Sequence, residues 1–269
     1  MNRIGLTGST GSLGKIFLKK YRDKKIKCFR GDIRNKNIFN IWIKKNNINI
    51  LLHFAAIVPI KRVNKDLKKA YEVNYIGTKN IVDVCIENKI KWFFFTSTSH
   101  VYKYSKNKLL ETDEKKPTSY YGKTKLLAEN YITKKFNSKN IPFSIGRIFS
   151  TANKNQKRDY LVPDLKRKIK KKGKAYLRNL NHYRDFVSMS DISKIIFILY
   201  RKKYKGILNI ASGKSIYLKD IAKEIINKYN KKDYVFKDNR VSTSLVGNNT
   251  KLMKIKKIRI DTSIKRLIF

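Results

Sequence analysis

A stretch of strand length, Asn2-Arg3-Ile4-Gly5-Leu6-Thr7, runs into glycines at positions 8, 11 and 14, and Lys15-Ile16-Phe17-Leu18 then reads as a helix. Few features restrict a fold as tightly, because each glycine of such a turn has a separate task. Gly8 allows the sharp exit from the strand, Gly11 lets backbone amides approach a diphosphate, and Gly14 lets the helix pack closely on the sheet. With Ser9, Thr10, Ser12 and Leu13 between them, they bring unpaired N–H groups and the positive end of the helix dipole to one spot, where phosphates bind. A plain Gly-rich turn has the same composition. The strand before it and the helix after it favour the phosphate loop.

The strand–helix rhythm continues, with strands at 25–29, 49–54, 91–96 and 143–149 and helices at 35–45, 65–87 and 118–136. Apolar strands alternating with helices predict a doubly wound α/β fold, a parallel sheet buried on both faces. Ligands of such sheets lie beyond the carboxyl ends of the strands. The distinctive residues fall there: the glycines after the first strand, Asp32 after the second, Ala55 and Ala56 after the third, and Thr96 to Ser99 after the fourth. Past Ser150 the rhythm loosens. A polar loop at 153–158, a basic helix at 161–172, a strand at 175–178, helices at 191–201 and 218–228 around a strand at 207–210, and a weakly patterned tail from 238 follow.

The apolar fraction of 41% suits a folded chain, and no window approaches the ~18 consecutive apolar residues of a membrane span. No signal peptide is read, and Cys28 and Cys85 lie in apolar stretches without metal-ligand spacing. They read as core residues of a reduced, cytoplasmic protein, and no metal site is expected. The net charge of +45 admits a nucleic-acid or anionic-lipid partner. A compositional bias toward Lys, Asn and Ile explains it better: lysine outweighs arginine, the charge is dispersed, and no nucleic-acid motif is present. The dense basic run is Lys166-Arg167-Lys168-Ile169-Lys170-Lys171-Lys172-Gly173-Lys174. No specific nucleic-acid partner is expected.

Tyr121 and Lys125, at i and i+4 of a helix, sit one turn apart on one face. An ammonium beside a phenol stabilises the phenolate and makes the tyrosine an acid or base near neutral pH. An ordinary Tyr/Lys helix face has the same pattern. Together with the preceding stretches, however, the pair completes a resemblance. Thr7-Gly8-Ser9-Thr10-Gly11-Ser12-Leu13-Gly14 resembles the TGxxGxxG loop of the extended short-chain dehydrogenases/reductases, the NAD-dependent epimerase/dehydratase family. His53-Phe54-Ala55-Ala56, Asn74-Tyr75-Ile76-Gly77-Thr78-Lys79-Asn80 and Ser97-Thr98-Ser99-His100-Val101-Tyr102 resemble its H-x-A-A, N-x-x-G-T-x-N and strand-end segments. Tyr121…Lys125 resembles its YxxxK pair, Arg184-Asp185-Phe186-Val187 its R-D-F segment, and Asn209-Ile210-Ala211-Ser212-Gly213 its N-I-G-x-G turn.

The resemblance implies a Rossmann-type dinucleotide-binding domain at 1–150, rejoined by 187–211, and a small substrate-binding lobe from 151–186 and 212–269. It implies NAD(P)-dependent hydride transfer, at C4, on a nucleotide-activated sugar. Tyr121 is the implied acid/base, Lys125 the holder of the nicotinamide ribose, and Thr98 the ligand of the reacting oxygen. Asp32, Ile33, Phe54, Ala55, Ala56, Asn74, Thr96 and Phe149 join the glycine loop as implied cofactor residues; a helix N-cap is the structural alternative for Asp32, and a satisfied polar residue for Asn74. Ser99, Ser150, Arg184 and Arg240 are the implied substrate residues, with ion pairing the alternative for the arginines. His53 and His100 are expected in a second layer. Arg30 ends the second strand where NAD-preferring relatives carry an acid, which favours NADP(H). Thr98-Ser99-His100 replaces the Thr-Asp-Glu of the dehydratase branch and disfavours water elimination. Reduction of a 4-keto sugar is marginally favoured, with 4-epimerisation and a non-catalytic cofactor-binding scaffold as alternatives. The resemblance also implies a homodimer.

Overall fold

The computed structural model describes residues 3–22, 26–153, 156, 159–238 and 241–268. The chain runs through β1 (Ile4–Thr7), α1 (Ser12–Lys20), β2 (Ile26–Phe29), α2 (Lys36–Lys45), β3 (Ile50–His53), α3 (Ile60–Val63), α4 (Leu67–Tyr71), a π-helical turn (Glu72–Gly77) and α5 (Thr78–Glu87). Next come β4 (Trp92–Thr98), a 3-10 turn (Ser99–Val101), α6 (Tyr120–Asn137), β5 (Phe143–Ile148), β6 (Ser150–Ala152), α7 (Leu161–Lys170), β7 (Ala175–Arg178), β8 (His182–Arg184) and β9 (Phe186–Ser188). The last part holds α8 (Met189–Lys202), β10 (Gly206–Ile210), β11 (Ile216–Tyr217), α9 (Leu218–Lys228), β12 (Tyr234–Lys237), β13 (Thr243–Leu245), α10 (Thr250–Ile255) and α11 (Ile264–Ile268). Two compact units result: Met1–Tyr102, Lys115–Arg147 and Ser190–Leu208 form the first, and Lys103–Glu114, Ile148–Met189 and Asn209–Phe269 the second.

The first unit is built on a six-stranded sheet of order β10-β5-β4-β3-β1-β2. The pairs β1–β2, β1–β3 and β3–β4 are parallel, as the apolar strands predict. Every residue of β1, β3 and β4 is buried, which a parallel sheet covered on both faces requires. Phe39, Ile43, Ile81, Phe93, Phe95, Ile132 and Phe136 belong to the core cluster in which α2, α5 and α6 pack on the sheet. From β1 the chain steps out to β2 and returns past β1 to β3, so the order reverses between β1 and β3. The ligand crevice of such a sheet lies at that reversal, outside the carboxyl ends of the strands.

Three local readings change. The expected helix 65–87 is α4, a π turn and α5 in succession, and the π turn carries the buried Asn74. The fourth strand runs on to Thr98, so the hydroxyls of Thr96, Ser97 and Thr98 are strand residues. Helix α2 is capped by Asn35, whose side chain accepts the Ile38 N–H at 3.0 Å, so Asp32 is not its cap.

The second unit contains the sheet β11-β8-β13 and the pairs β12-β7 and β6-β9. Val162, Leu165, Ile169, Leu177, Ile221 and Ile225 form its core. The basic helix ends at Lys170, burying its apolar row and pairing Arg167 and Lys168 with Asp164 at 2.6 and 2.9 Å. The tail is ordered by burial of Leu245, Leu252, Leu267 and Ile268, spaced too widely to show a period. Among the described residues, no helix is long and apolar enough to cross a membrane.

Candidate functional site

Gly8 leaves β1 at φ +75°, and a Cβ there would stand 2.6 Å from the Ala55 nitrogen and 2.7 Å from the Phe54 carbonyl carbon. The first glycine thus lets the loop lie directly on the segment leaving β3. A Cβ on Gly14 would stand 2.3 Å from the Gly8 carbonyl oxygen, so this glycine packs the first helical turn against the loop itself. Gly11 differs: its Cβ would meet the Gly8 oxygen alone, at 3.2 Å. Gly11 is also the N-cap of α1, with no side chain bonded across the helix end and no acid in its first turn. Ser9 is buried, Thr10 exposed, and Ser12 and Leu13 half-buried. A cradle open at Gly11 and facing bare helix N–H groups fits the diphosphate of a dinucleotide.

A buried polar chain fixes the strand ends behind the loop. Thr78 Oγ donates its proton to the Asn74 carbonyl at 2.8 Å, so His53 Nε2, 3.0 Å away, must donate to Thr78. His53 Nδ1 then accepts from Thr7 Oγ at 2.6 Å, and Thr7 Oγ accepts the Ala55 N–H at 3.3 Å. Burial, with the charge of Lys125, lowers the His53 pKa to about 3, so the ring is neutral. Thr96 donates to the His53 carbonyl at 3.1 Å. Phe54 lies edge-on to Phe17 and Phe94, and Ala55 and Ala56 are half-buried.

At the end of β2, Arg30 is exposed. Arg34, not Arg30, grips Asp32, with Nη2–Oδ2 at 2.6 Å, and reaches Glu72 at 2.7 Å. Hydrogen bonds from the Arg34 side chain hold the Asp32 carboxyl below its ordinary value. Ile33 is buried in the core beneath. Asn74 is wholly buried: its Oδ1 accepts the Ile57 N–H at 2.7 Å, and its Nδ2 donates to the Ile57 carbonyl at 3.2 Å and to Thr124 Oγ at 3.3 Å. It clamps the loop after β3. Thr124 in turn donates to the Tyr121 carbonyl at 2.8 Å.

Ser119 caps α6 by accepting the Gly122 N–H at 3.1 Å, which places Tyr121 in the first turn. The Tyr121 ring meets His100 edge-on at 6.1 Å. Lys125 is 1% exposed, its ammonium 4.0 Å from the centroid of the Phe95 ring. Burial lowers its pKa to about 7, with Glu129 pulling the other way. Thr98 is buried, and its Oγ accepts the His100 N–H at 3.2 Å, leaving its own proton to donate. Ser99 is buried beside it.

One buried group was not singled out in the sequence. Ser97 donates to Glu129, which forms a two-pronged pair with Arg147, with Nη2–Oε2 at 2.7 Å and Nε–Oε1 at 3.1 Å. Glu129 follows Lys125 by one turn, and that spacing was the available signal.

In the second unit, Arg184 Nη1 donates to the carbonyls of Tyr183 and Thr243 at 2.7 and 2.9 Å, and Nη2 to Thr243 Oγ at 2.9 Å. These partners are neutral, and the Tyr104 ring lies 5.6 Å from the guanidinium. Burial lowers the Arg184 pKa. Asp185 next to it is occupied by the N–H groups of Ser212, Gly213 and Gly247 at 2.8, 2.9 and 3.2 Å, so the arginine is not ion-paired to its neighbour. Ser150 opens β6, and Phe149, also in this unit, is buried with its ring against Gly247. Arg240 lies outside the described residues. No cluster of three metal-ligating side chains occurs among the described residues.

The reversal of strand order, the glycine turn at it and the parallel buried strands define a Rossmann-type fold. The family model described as GDP-mannose 4,6 dehydratase matches residues 4–266. The chain belongs to the NAD-dependent epimerase/dehydratase family, the extended short-chain dehydrogenases/reductases. The dTDP-4-dehydro-6-deoxyglucose reductase of Escherichia coli is 25% identical over 281 residues, 91% of this chain and 88% of that protein. DesIV, the dTDP-glucose 4,6-dehydratase of Streptomyces venezuelae solved with NAD, superposes with a TM-score of 0.89 at 16% identity, covering 99% of this chain and 94% of that one. RMD from Pseudomonas aeruginosa, complexed with NADPH, superposes with a TM-score of 0.88 at 16% identity, covering 100% and 96%. At such identities these two structures establish the fold alone.

Proposed function

We propose that the protein is an NAD(P)-dependent enzyme that transfers hydride at C4 of a nucleotide-activated sugar, with reduction of a 4-keto sugar favoured. The observation that carries this reading is Lys125, buried one turn after Tyr121, in the same unit as a strand end whose Thr98 hydroxyl accepts the His100 N–H and keeps its own proton to donate. The nicotinamide cofactor supplies or accepts the hydride when bound. Tyr121 passes the proton to or from the sugar oxygen, and the Lys125 ammonium stabilises the phenolate between transfers. Thr98 donates to the same oxygen, and Ser99 flanks it.

The glycine loop from Gly8 to Gly14 takes the diphosphate, with Phe54, Ala55, Ala56, Thr96 and Phe149 as cofactor residues. Asn74 serves by clamping the loop at Ile57, and Ile33 from beneath in the core. The exposed Arg30 favours NADP(H), since a guanidinium suits a 2′-phosphate. Arg184, held by neutral partners alone, is suited to a substrate phosphate, with Ser150 on the same unit. Water elimination is disfavoured: Ser99 and His100 stand where an acid–base pair is needed. Among the described residues, Glu129 is the buried carboxylate of the first unit, and it is paired with Arg147. The match to the E. coli reductase over most of both chains supports reduction. We further propose a cytoplasmic homodimer, which sedimentation equilibrium tests.

The test is a screen of nucleotide sugars and their 4-keto forms with NADH and NADPH. Net cofactor consumption identifies a reductase, and product without consumption an epimerase. No turnover on any of them, with cofactor bound, would leave a scaffold and sink the catalytic reading.

A further inference from the structure

Among the described residues, Glu129–Arg147 is the ion pair buried on both sides, each side chain 2% exposed. Such pairs are poor stabilising devices, because desolvation offsets most of the attraction and apolar replacements are often as stable. What this pair touches gives it another use. Ser97, bonded to Glu129, immediately precedes Thr98 in β4. Arg147, from β5, donates through Nη1 to the Tyr102 hydroxyl at 2.8 Å, just past the 3-10 turn. Lys125 lies one turn before Glu129 on α6 and is equally buried. The pair thus ties together β4, the turn after it, β5 and α6, the elements that carry Thr98, Tyr121 and Lys125.

We propose that the Glu129–Arg147 pair is the positioning element of the proposed catalytic centre: its carboxylate holds the Ser97–Thr98 strand end and is the counter-charge that keeps the buried Lys125 cationic. The inference rests on the function proposed above, and makes Glu129 a residue that acts through Lys125 and Ser97 rather than on substrate.

The charge inventory around Lys125 supports the electrostatic half. Its own helix supplies Tyr121 and Glu129; the Glu129 carboxylate is shared with Arg147 of β5, which also holds the Tyr102 hydroxyl, and Tyr121 meets His100 of the turn after β4. His53, from β3, is neutral, and Asn74 and Thr78 on the neighbouring helical segment carry no charge. The face of the Phe95 ring completes the surroundings. Burial pulls the lysine down to about 7 with Glu129 opposing it, so a neutral residue at 129 leaves the burial unopposed. Lys125 then loses its proton at a lower pH than in the wild type.

The experiment follows nicotinamide fluorescence on titrating NADH and NADPH into the full-length protein from pH 5.5 to 9.5. The wild type holds its affinity below the Lys125 pKa and loses it as pH rises through that value. Glu129→Gln is expected to move this loss about one pH unit or more to lower pH. Glu129→Asp, which keeps the charge, restores the wild-type position, a rescue that a packing role does not predict. Where far-UV circular dichroism shows that Glu129→Gln does not fold, the double variant Glu129→Gln/Arg147→Met takes its place, since it leaves no guanidinium buried without its carboxylate. It lacks the counter-charge but also the Arg147 cation, so its loss of affinity moves down by less than in Glu129→Gln. A pH limb that coincides in the wild type and in the folded variant lacking the carboxylate overturns the inference and leaves the proposed function standing. Failure of the wild type to bind either cofactor at any pH overturns both.

Discussion

Replacing Gly14 and Gly11 one at a time separates packing from ligand approach within a single loop. In Gly14→Ala the new methyl would lie 2.3 Å from the Gly8 oxygen and 2.8 Å from the Ser9 Cα, both backbone atoms. The loop cannot retreat, because Gly8 already lies against the Ala55 backbone. Overpacking of this kind costs about 1–3 kcal/mol. The helix preference of alanine returns up to about 1 kcal/mol of that. A net loss of about 1–2 kcal/mol lowers the melting temperature by roughly 2–8 °C. Gly11→Ala meets one atom at 3.2 Å with φ at −72°, which alanine adopts freely, so its stability cost is about 0.5 kcal/mol. Its methyl instead fills the open cradle, and NADPH affinity drops about tenfold or more, worth about 1.4 kcal/mol. Thermal denaturation and fluorescence titration of both variants read the two effects. Equal melting temperatures, or undiminished NADPH binding by Gly11→Ala, refute the assignment of packing to Gly14 and ligand approach to Gly11.

Three further outcomes are expected. His53 has a folded pKa of about 3, below the unfolded value of about 6.5, so protonation favours the unfolded chain and stability falls as pH drops through that interval. Between pH 7 and 4.5 this group costs about 2–3 kcal/mol, and the stability gap between wild type and His53→Gln in urea unfolding should shrink by that amount; a constant gap contradicts the neutral ring. Tyr121→Phe should lower turnover by about 100-fold or more with cofactor affinity nearly unchanged, as removal of a general acid–base does; steady-state kinetics beside a binding titration separates the two. Arg184→Gln should raise the KM for a nucleotide sugar about 10-fold or more, as loss of a charge-assisted contact does, and leave NADPH binding alone. An unchanged KM would return Arg184 to a structural role.

The parts of this chain legible in its sequence are those written in short spacings. Gly8, Gly11 and Gly14 carry the strand exit, and the apolar runs of β1, β3 and β4 carry the parallel sheet, because local geometry dictates both. Tyr121 and Lys125 were found by an i, i+4 spacing. The Glu129–Arg147 pair was not, since its members come from a helix and a strand and nothing local links them before the sheet forms. The π turn at Glu72–Gly77 is invisible to a 3.6-residue period, which reads straight through it. Asn35 rather than Asp32 caps α2 because it stands directly before Lys36, the first helical residue, while Asp32 is engaged by the Arg34 fork, so the choice was decided by local contacts. In the second unit, strands of two to four residues leave too few alternations for a pattern.

The central claim is hydride transfer to the sugar ring, and isotope labelling tests it most directly. The wild-type protein is incubated with NADPH deuterated at the transferring position and a nucleoside-diphosphate 4-keto sugar, and the product is read by mass spectrometry and proton NMR. One deuterium at C4 of the sugar, with one NADPH consumed per product, is the predicted result. Product formed without deuterium at C4 would contradict it.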